Sequence, residues 1–238
     1  MDTVALIRYI KRLGNRSDTC EHRNECDSHA DTCVAGSNFV LFSQFEPQRY
    51  VTVRGYDGGS KRMMPIASVC SVYVDPSTSI RYLLIIHEAL FASTLKGSLL
   101  NPNQMRNHGV IVHDTPVQFD PASDHCIRAN TEEGDPICIP LSLEGVVSGF
   151  SSRKPTPEEL AENLPRIVLT SDIPWDPNDP KFALKEQDAV QNRQVATVKV
   201  TSCDSGVAQA NQTRFVKAVR SYNTNGFSVA TAFINRRI

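Results

Sequence analysis

The run Asp27-Ser28-His29-Ala30-Asp31-Thr32-Cys33 gathers the groups of this chain best suited to chemistry. A carboxylate followed by a hydroxyl and a small residue suits a tight turn that holds the carboxylate by hydrogen bonds. Facing a second identical carboxylate at about 3 Å, it would share one proton with it, because two negative charges cannot both form at that separation. One member then acts as base, the other as acid, and water is the nucleophile. The same residues leave other readings open. Asp27 can simply cap a turn, as many Asp-Ser pairs do. Cys20, His22, Cys26, His29 and Cys33 are all good zinc ligands, although they lack the C-x2-C pair of a zinc knuckle. Cys33 as a nucleophile beside His29 lacks any flanking signature. His87, His108, His113 and His125 stand apart in sequence and read as structural or surface residues.

The elements that must position this turn read as short strands. Residues 14–25 are polar and read as a loop leading into Cys26, preceded by a short amphipathic helix over residues 3–12. Phe39-Val40-Leu41-Phe42 and Tyr50-Val51-Thr52-Val53 read as strands, with Gly55-Tyr56-Asp57-Gly58-Gly59 as a hairpin turn. Residues 66–74 and 80–87 form a second hairpin through Asp75-Pro76-Ser77-Thr78-Ser79. Asn101 as N-cap, Pro102 in the first helical position and a stop at His108-Gly109 predict a short helix. Further strands are expected at residues 110–113, 137–141 and 145–147. Beyond residue 150 the chain turns proline-rich and acidic. Thr156-Pro157-Glu158-Glu159 spells a capping box, residues 151–190 read as linker, residues 195–201 as a strand and residues 214–222 as a helix.

Composition bounds the reading. The 238 residues, 40% of them hydrophobic, suffice for one well-buried domain with flanking segments. A net charge of -1 provides no overall footprint for nucleic acid or an anionic membrane, so direct nucleic-acid binding is not expected. Arg8 and Lys11 break the apolar run at the N-terminus, so neither a signal peptide nor a membrane span is expected there. Seven scattered cysteines, an odd number, argue for reduced thiols in an intracellular protein.

The segment at Asp27 resembles the D-S-G-A-D-T signature of retroviral and retrotransposon proteases. The wider stretch from Asp27 to about Asp179, with SHADTCVAGSNF, VRGYDGG, IIHEAL, SLLNPNQMRNHGVIVHDTP and IPLSLEGVVSGFSSRKPTPEEL, is similar to the protease region of copia-type polyproteins that carry a DSHADT variant. Ser98-Leu99-Leu100, Asn103-Gln104-Met105 and Gly109 align with the segment that follows the flap in those elements. The resemblance implies a mostly β fold, with a small retropepsin-like barrel and one or two short helices over residues 26–150. Residues 1–25 would be a helix and loop, and residues 151–238 an irregular segment. It implies Asp27 and Ser28 as catalytic residues. Ala30, Asp31 and the flap residues Gly55, Tyr56, Asp57, Gly58 and Gly59 would bind substrate. No metal or cofactor is implied. The second carboxylate would come from a second copy in a homodimer, the substrates would be peptide segments of the chain's own polyprotein, and no membrane partner is implied. The location would be the cytoplasm or virus-like particles. His29 stands where the signature has glycine, a residue suited to a turn without side chains. That departure, with the polar approach at residues 21–25, also motivates a catalytically degenerate module with an assembly or interaction role.

Overall fold

The computed structural model describes residues 20–44, 48–54 and 61–200. β-branched and aromatic runs separated by turn residues fold mainly into strands: β1 (Glu21–Cys26), β2 (Val34–Ala35), β3 (Val40–Gln44), β4 (Tyr50–Arg54), β5 (Lys61–Val74), β6 (Arg81–Phe91) and β7 (Ser98–Leu100). Helix α1 (Pro102–Asn107) follows, then β8 (Ile111–Val112), β9 (Cys126–Asn130), β10 (Pro136–Pro140), β11 (Ser142–Glu144) and β12 (Val147–Arg153). Helix α2 (Pro157–Ala161), β13 (Arg166–Val168) and helix α3 (Lys181–Val200) complete the described elements.

Most strands join one sheet in the order β11-β12-β1-β7-β2-β6-β5-β3, with β13 beside β6 and β4 beside β5. Arg153 of β12 also pairs with Val72 of β5. A separate three-stranded sheet has the order β10-β9-β8. The chain is therefore mostly β.

The long β5–β6 hairpin is buried on both faces, which explains its nearly unbroken apolar sequence. Ala67, Val69, Tyr73, Leu84, Ile86 and Ala89 enter the main core with Phe39, Leu100, Ile127 and Ile167. Cys70, Val72, Leu83 and Ile85 face the other way and pack with Val40 and Leu160. Each fully buried leucine or isoleucine there contributes about 2 kcal/mol of transfer free energy.

The local signals at α1 and α2 operate as read. Asn101 caps α1 by accepting from Asn103 N and Gln104 N, and Gly109 follows the helix at φ +90°. The Thr156 hydroxyl and the Glu159 carboxylate close the capping box of α2 reciprocally.

Elsewhere long-range pairing overrides the local reading. Residues 21–25, read as loop, fall within β1 inside the sheet, because both its edges are paired and its buried polar Asn24 finds partners across it. The boundary expected at residue 150 falls within β12. Part of the stretch read as linker is structured, since β13 pairs in parallel with β6 through Arg166↔Leu83 to Val168↔Ile85. Residues 145–147 are not a strand of their own: Gly145, at φ +62°, turns the chain between β11 and β12. Residues 195–200 belong to α3, not to a strand. Once nucleated by the Ala183-Leu184-Lys185-Glu186 stretch, a helix propagates through β-branched residues at small cost. The chain divides after Pro177 into two compact units, with α3 in the second. The expected helices at residues 3–12 and 214–222 and the flap tip Gly55 to Gly59 lie outside the described residues. Among the described residues, no helix is long and apolar enough to cross a membrane.

Candidate functional site

Asp27 is the first residue beyond β1, and β1 is held on both sides. It runs antiparallel to β12, with Asn24 opposite Phe150 and Glu25 opposite Gly149, and parallel to β7, with Cys26 opposite Leu100. Asp27 N donates to Leu100 O at 2.9 Å, so the aspartate's own backbone prolongs the parallel ladder. The segment that the resemblance places after the flap is thus hydrogen-bonded to the strand that delivers Asp27. Beneath β1 lies a buried polar cluster. Asn38 Nδ2 donates to Asn24 Oδ1 at 2.8 Å and to Ser152 Oγ at 3.0 Å, and Ser98 Oγ donates to Asn38 Oδ1 at 2.7 Å. Close approach is required as well, because a Cβ on Gly149 would lie 2.4 Å from Asn24 O.

The turn itself is an Asx turn. His29 N donates to Asp27 Oδ1 at 2.8 Å, and the Asp27 side chain stays 32% exposed. Ser28 and Asp31 are exposed, and Ala30 is half-buried. The His29 ring is 97% exposed, with Nδ1 3.8 Å from the same carboxylate oxygen. The described non-glycine residues with positive φ are Ser79, Glu88 and His125, so the turn accepts a side chain at His29 without left-handed strain. Position 29 needs no glycine in this turn, because its side chain projects into solvent.

Partners from distant sequence fix the rest of the turn. Asn101 Nδ2 donates to Ala30 O, while Asn101 N donates to Cys33 Sγ at 3.2 Å. Cys33 N donates to Gln104 Oε1 at 2.8 Å, and Trp175 Nε1 donates to Asp31 O at 2.9 Å. Burial pushes the Cys33 thiol up to about 12, and burial with nearby Asp114 does the same to Cys26. Raised in this way, both thiols suit packing better than nucleophilic attack. Among the described residues, no three His, Cys, Asp or Glu side chains are placed to hold a metal ion.

Strands β4 and β5 pair antiparallel on either side of the residues that the resemblance reads as a flap. Their register runs from Tyr50↔Pro65 to Arg54↔Lys61 and brackets residues 55–60. Tyr50, Val51 and Met63 are exposed on these strands, Met63 to 72%. A groove of about 610 Å³ lies elsewhere, lined by Ile111, Arg128, Glu132, Ile137, Cys138 and Val168 among others; none of residues 27–33 lines it.

Comparison with protein-family models, with curated proteins and with solved structures gave no match.

Glu88, Gln104 and Trp175 were not singled out by sequence as site residues; the fold brings Gln104 and Trp175 against the Asp27 turn and Glu88 against both. Three of the other histidines serve contacts elsewhere. His87 Nδ1 lies 2.7 Å from Ser68 Oγ, with burial holding the imidazole below its ordinary pKa. His113 pairs with Asp124, and His125 Nε2 lies 2.8 Å from Ser148 Oγ.

Proposed function

We propose that this chain is an aspartic endopeptidase of a copia-type retrotransposon polyprotein, active as a two-fold homodimer in which Asp27 of each copy faces the other. The observation that carries the reading is Asp27 itself, a partly exposed carboxylate just beyond a strand paired on both sides, on a turn held by residues far away in sequence. Preorganisation of this kind suits a group that must meet a second carboxylate within a few tenths of an ångström. In the dimer the two carboxylates share a proton, and the ionised member takes a proton from water as that water attacks the scissile carbonyl. The other member protonates the departing amide nitrogen. Ser28 supplies a hydroxyl beside the carboxylate. The β4–β5 hairpin, with its exposed apolar arms, suits a cover over an extended peptide bound through strand-like main-chain hydrogen bonds to the backbone near Ala30 and Asp31. The substrates are junctions of the element's own polyprotein. A single copy needs no deep cleft at Asp27, because the cleft forms between two copies.

The test is cleavage of the full-length chain and of an internally quenched peptide pool, with and without a statine-type inhibitor. Inhibitor-sensitive hydrolysis that vanishes in Asp27→Asn supports the enzyme. Equal rates in both proteins would sink it and leave a non-catalytic assembly module.

A further inference from the structure

Glu88 is a costly residue with no local reason to exist. It stands near the end of β6, inside a mostly apolar strand, at φ +53°, a conformation unfavourable for a long side chain. The β5–β6 register slips there between Ala67 and Val69, and this bulge turns the side chain inward until only 1% of it is exposed. A carboxylate so buried needs partners, and the residue as a whole, side chain and carbonyl together, is held from three separate places. Arg49, which leads into β4, pairs with it; Trp175 N donates to Glu88 Oε2 at 3.1 Å; and Gln104 Nε2 donates to the Glu88 carbonyl at 3.2 Å. Gln104 and Trp175 are the same residues that hold Cys33 N and Asp31 O of the Asp27 turn. Arg49 is anchored in the hairpin by its carbonyl, which accepts from Ile66 N at 3.0 Å.

We propose that Glu88 is a positioning residue that ties the β4–β5 hairpin to the Asp27 turn, so that the two are ordered together. An apolar residue would fill the site at lower desolvation cost, and backbone strain held by surrounding structure gathers at functional sites. The bulge, the strain and the buried charge converge on one node between the two parts that a hairpin-covered peptide site must align. The physical tie stands independently of activity; its catalytic consequence rests on the reading of Asp27 given above.

Hydrogen exchange on the full-length chain tests the tie directly. In Glu88→Gln, amides of residues 27–33 and of the hairpin, residues 50–54, 63, 64 and 66, should both exchange about tenfold faster, while those of β9 and β10 keep their rates. Acceleration confined to one of the two regions, or to neither, would overturn the proposal. Should that variant not fold, the double variant E88Q/R49Q leaves no charge to bury and is read the same way. In the active dimer, kcat per statine-titrated site should fall about tenfold in Glu88→Gln. A role in stability alone would lower the melting temperature and leave that kcat unchanged, which contradicts positioning. If wild type and Asp27→Asn are equally inactive, the protease reading fails while the exchange experiment still decides the tie.

Discussion

Two aspartates in this molecule make the same local turn and end in different situations. Asp27 Oδ1 accepts from His29 N at 2.8 Å, and Asp75 Oδ1 accepts from Ser77 N at 2.8 Å. At Asp75 the partners are all neighbours. The Ser77 hydroxyl and amide hold its carboxyl below the usual range, Asp75 N bonds Ile80 O, and the residue is only 8% exposed. That turn joins β5 to β6, and its carboxylate is occupied in doing so. At Asp27 the supports arrive from Leu100, Asn101, Gln104 and Trp175, and the carboxylate is left partly in solvent. An Asp-Ser turn is thus not a site by itself. What distinguishes a candidate site is rigid support from afar combined with an exposed reactive group.

Several substitutions would break or sharpen that contrast. The largest effect is expected at Gly149→Ala, where the new methyl group meets Asn24 O and forces β1 away from β12. We expect about 3 kcal/mol of destabilisation in urea titrations, with loss of order at Asp27 and little change in the Asp75 turn. Glu159 is a third acid, held down to about 2 chiefly by the Arg153 guanidinium and also by the Thr156 amide and Arg81. Its folded pKa lies below its unfolded value, so its stabilisation is present above about pH 4.5 and lost as pH falls toward 2. Denaturation between pH 5 and 2 should show a loss on the order of 2–3 kcal/mol that Glu159→Gln lacks. Asn101→Ala removes the cap of α1 and the donor to Ala30 O together, which should cost about 2 kcal/mol and raise the exchange rate of the Cys33 amide. Asp75→Ala should cost about 1 kcal/mol with no effect on hydrolysis. Asp27→Ala should cost no more than that while abolishing hydrolysis.

Much of the fold could be read where its causes are local. The β5–β6 turn, the Asn101 cap with Pro102, and the Thr156–Glu159 box each carry their partner within a few residues. Strand β1 could not, because Glu21, His22, Arg23 and Asn24 resemble a solvated loop until Phe150 and Ser152 arrive from far along the chain. Glu88 was hidden for a related reason: a bulge inside an apolar strand has no composition of its own, and only the φ value and the pairing with Arg49 reveal it. Asp27 itself was legible by type and neighbours. Its supports were not, since Gln104 and Trp175 act through backbone partners that any sequence would provide.

The most direct test of paired aspartates mixes copies. Asp27→Asn chains are titrated into wild type at a fixed wild-type concentration, under conditions where subunits exchange, and hydrolysis of the quenched peptide pool is followed. If each active unit needs Asp27 from both copies, activity per wild-type chain falls in proportion to the wild-type share, to about half at an equal mixture. Activity per wild-type chain that stays constant as the variant is added would contradict a shared active site.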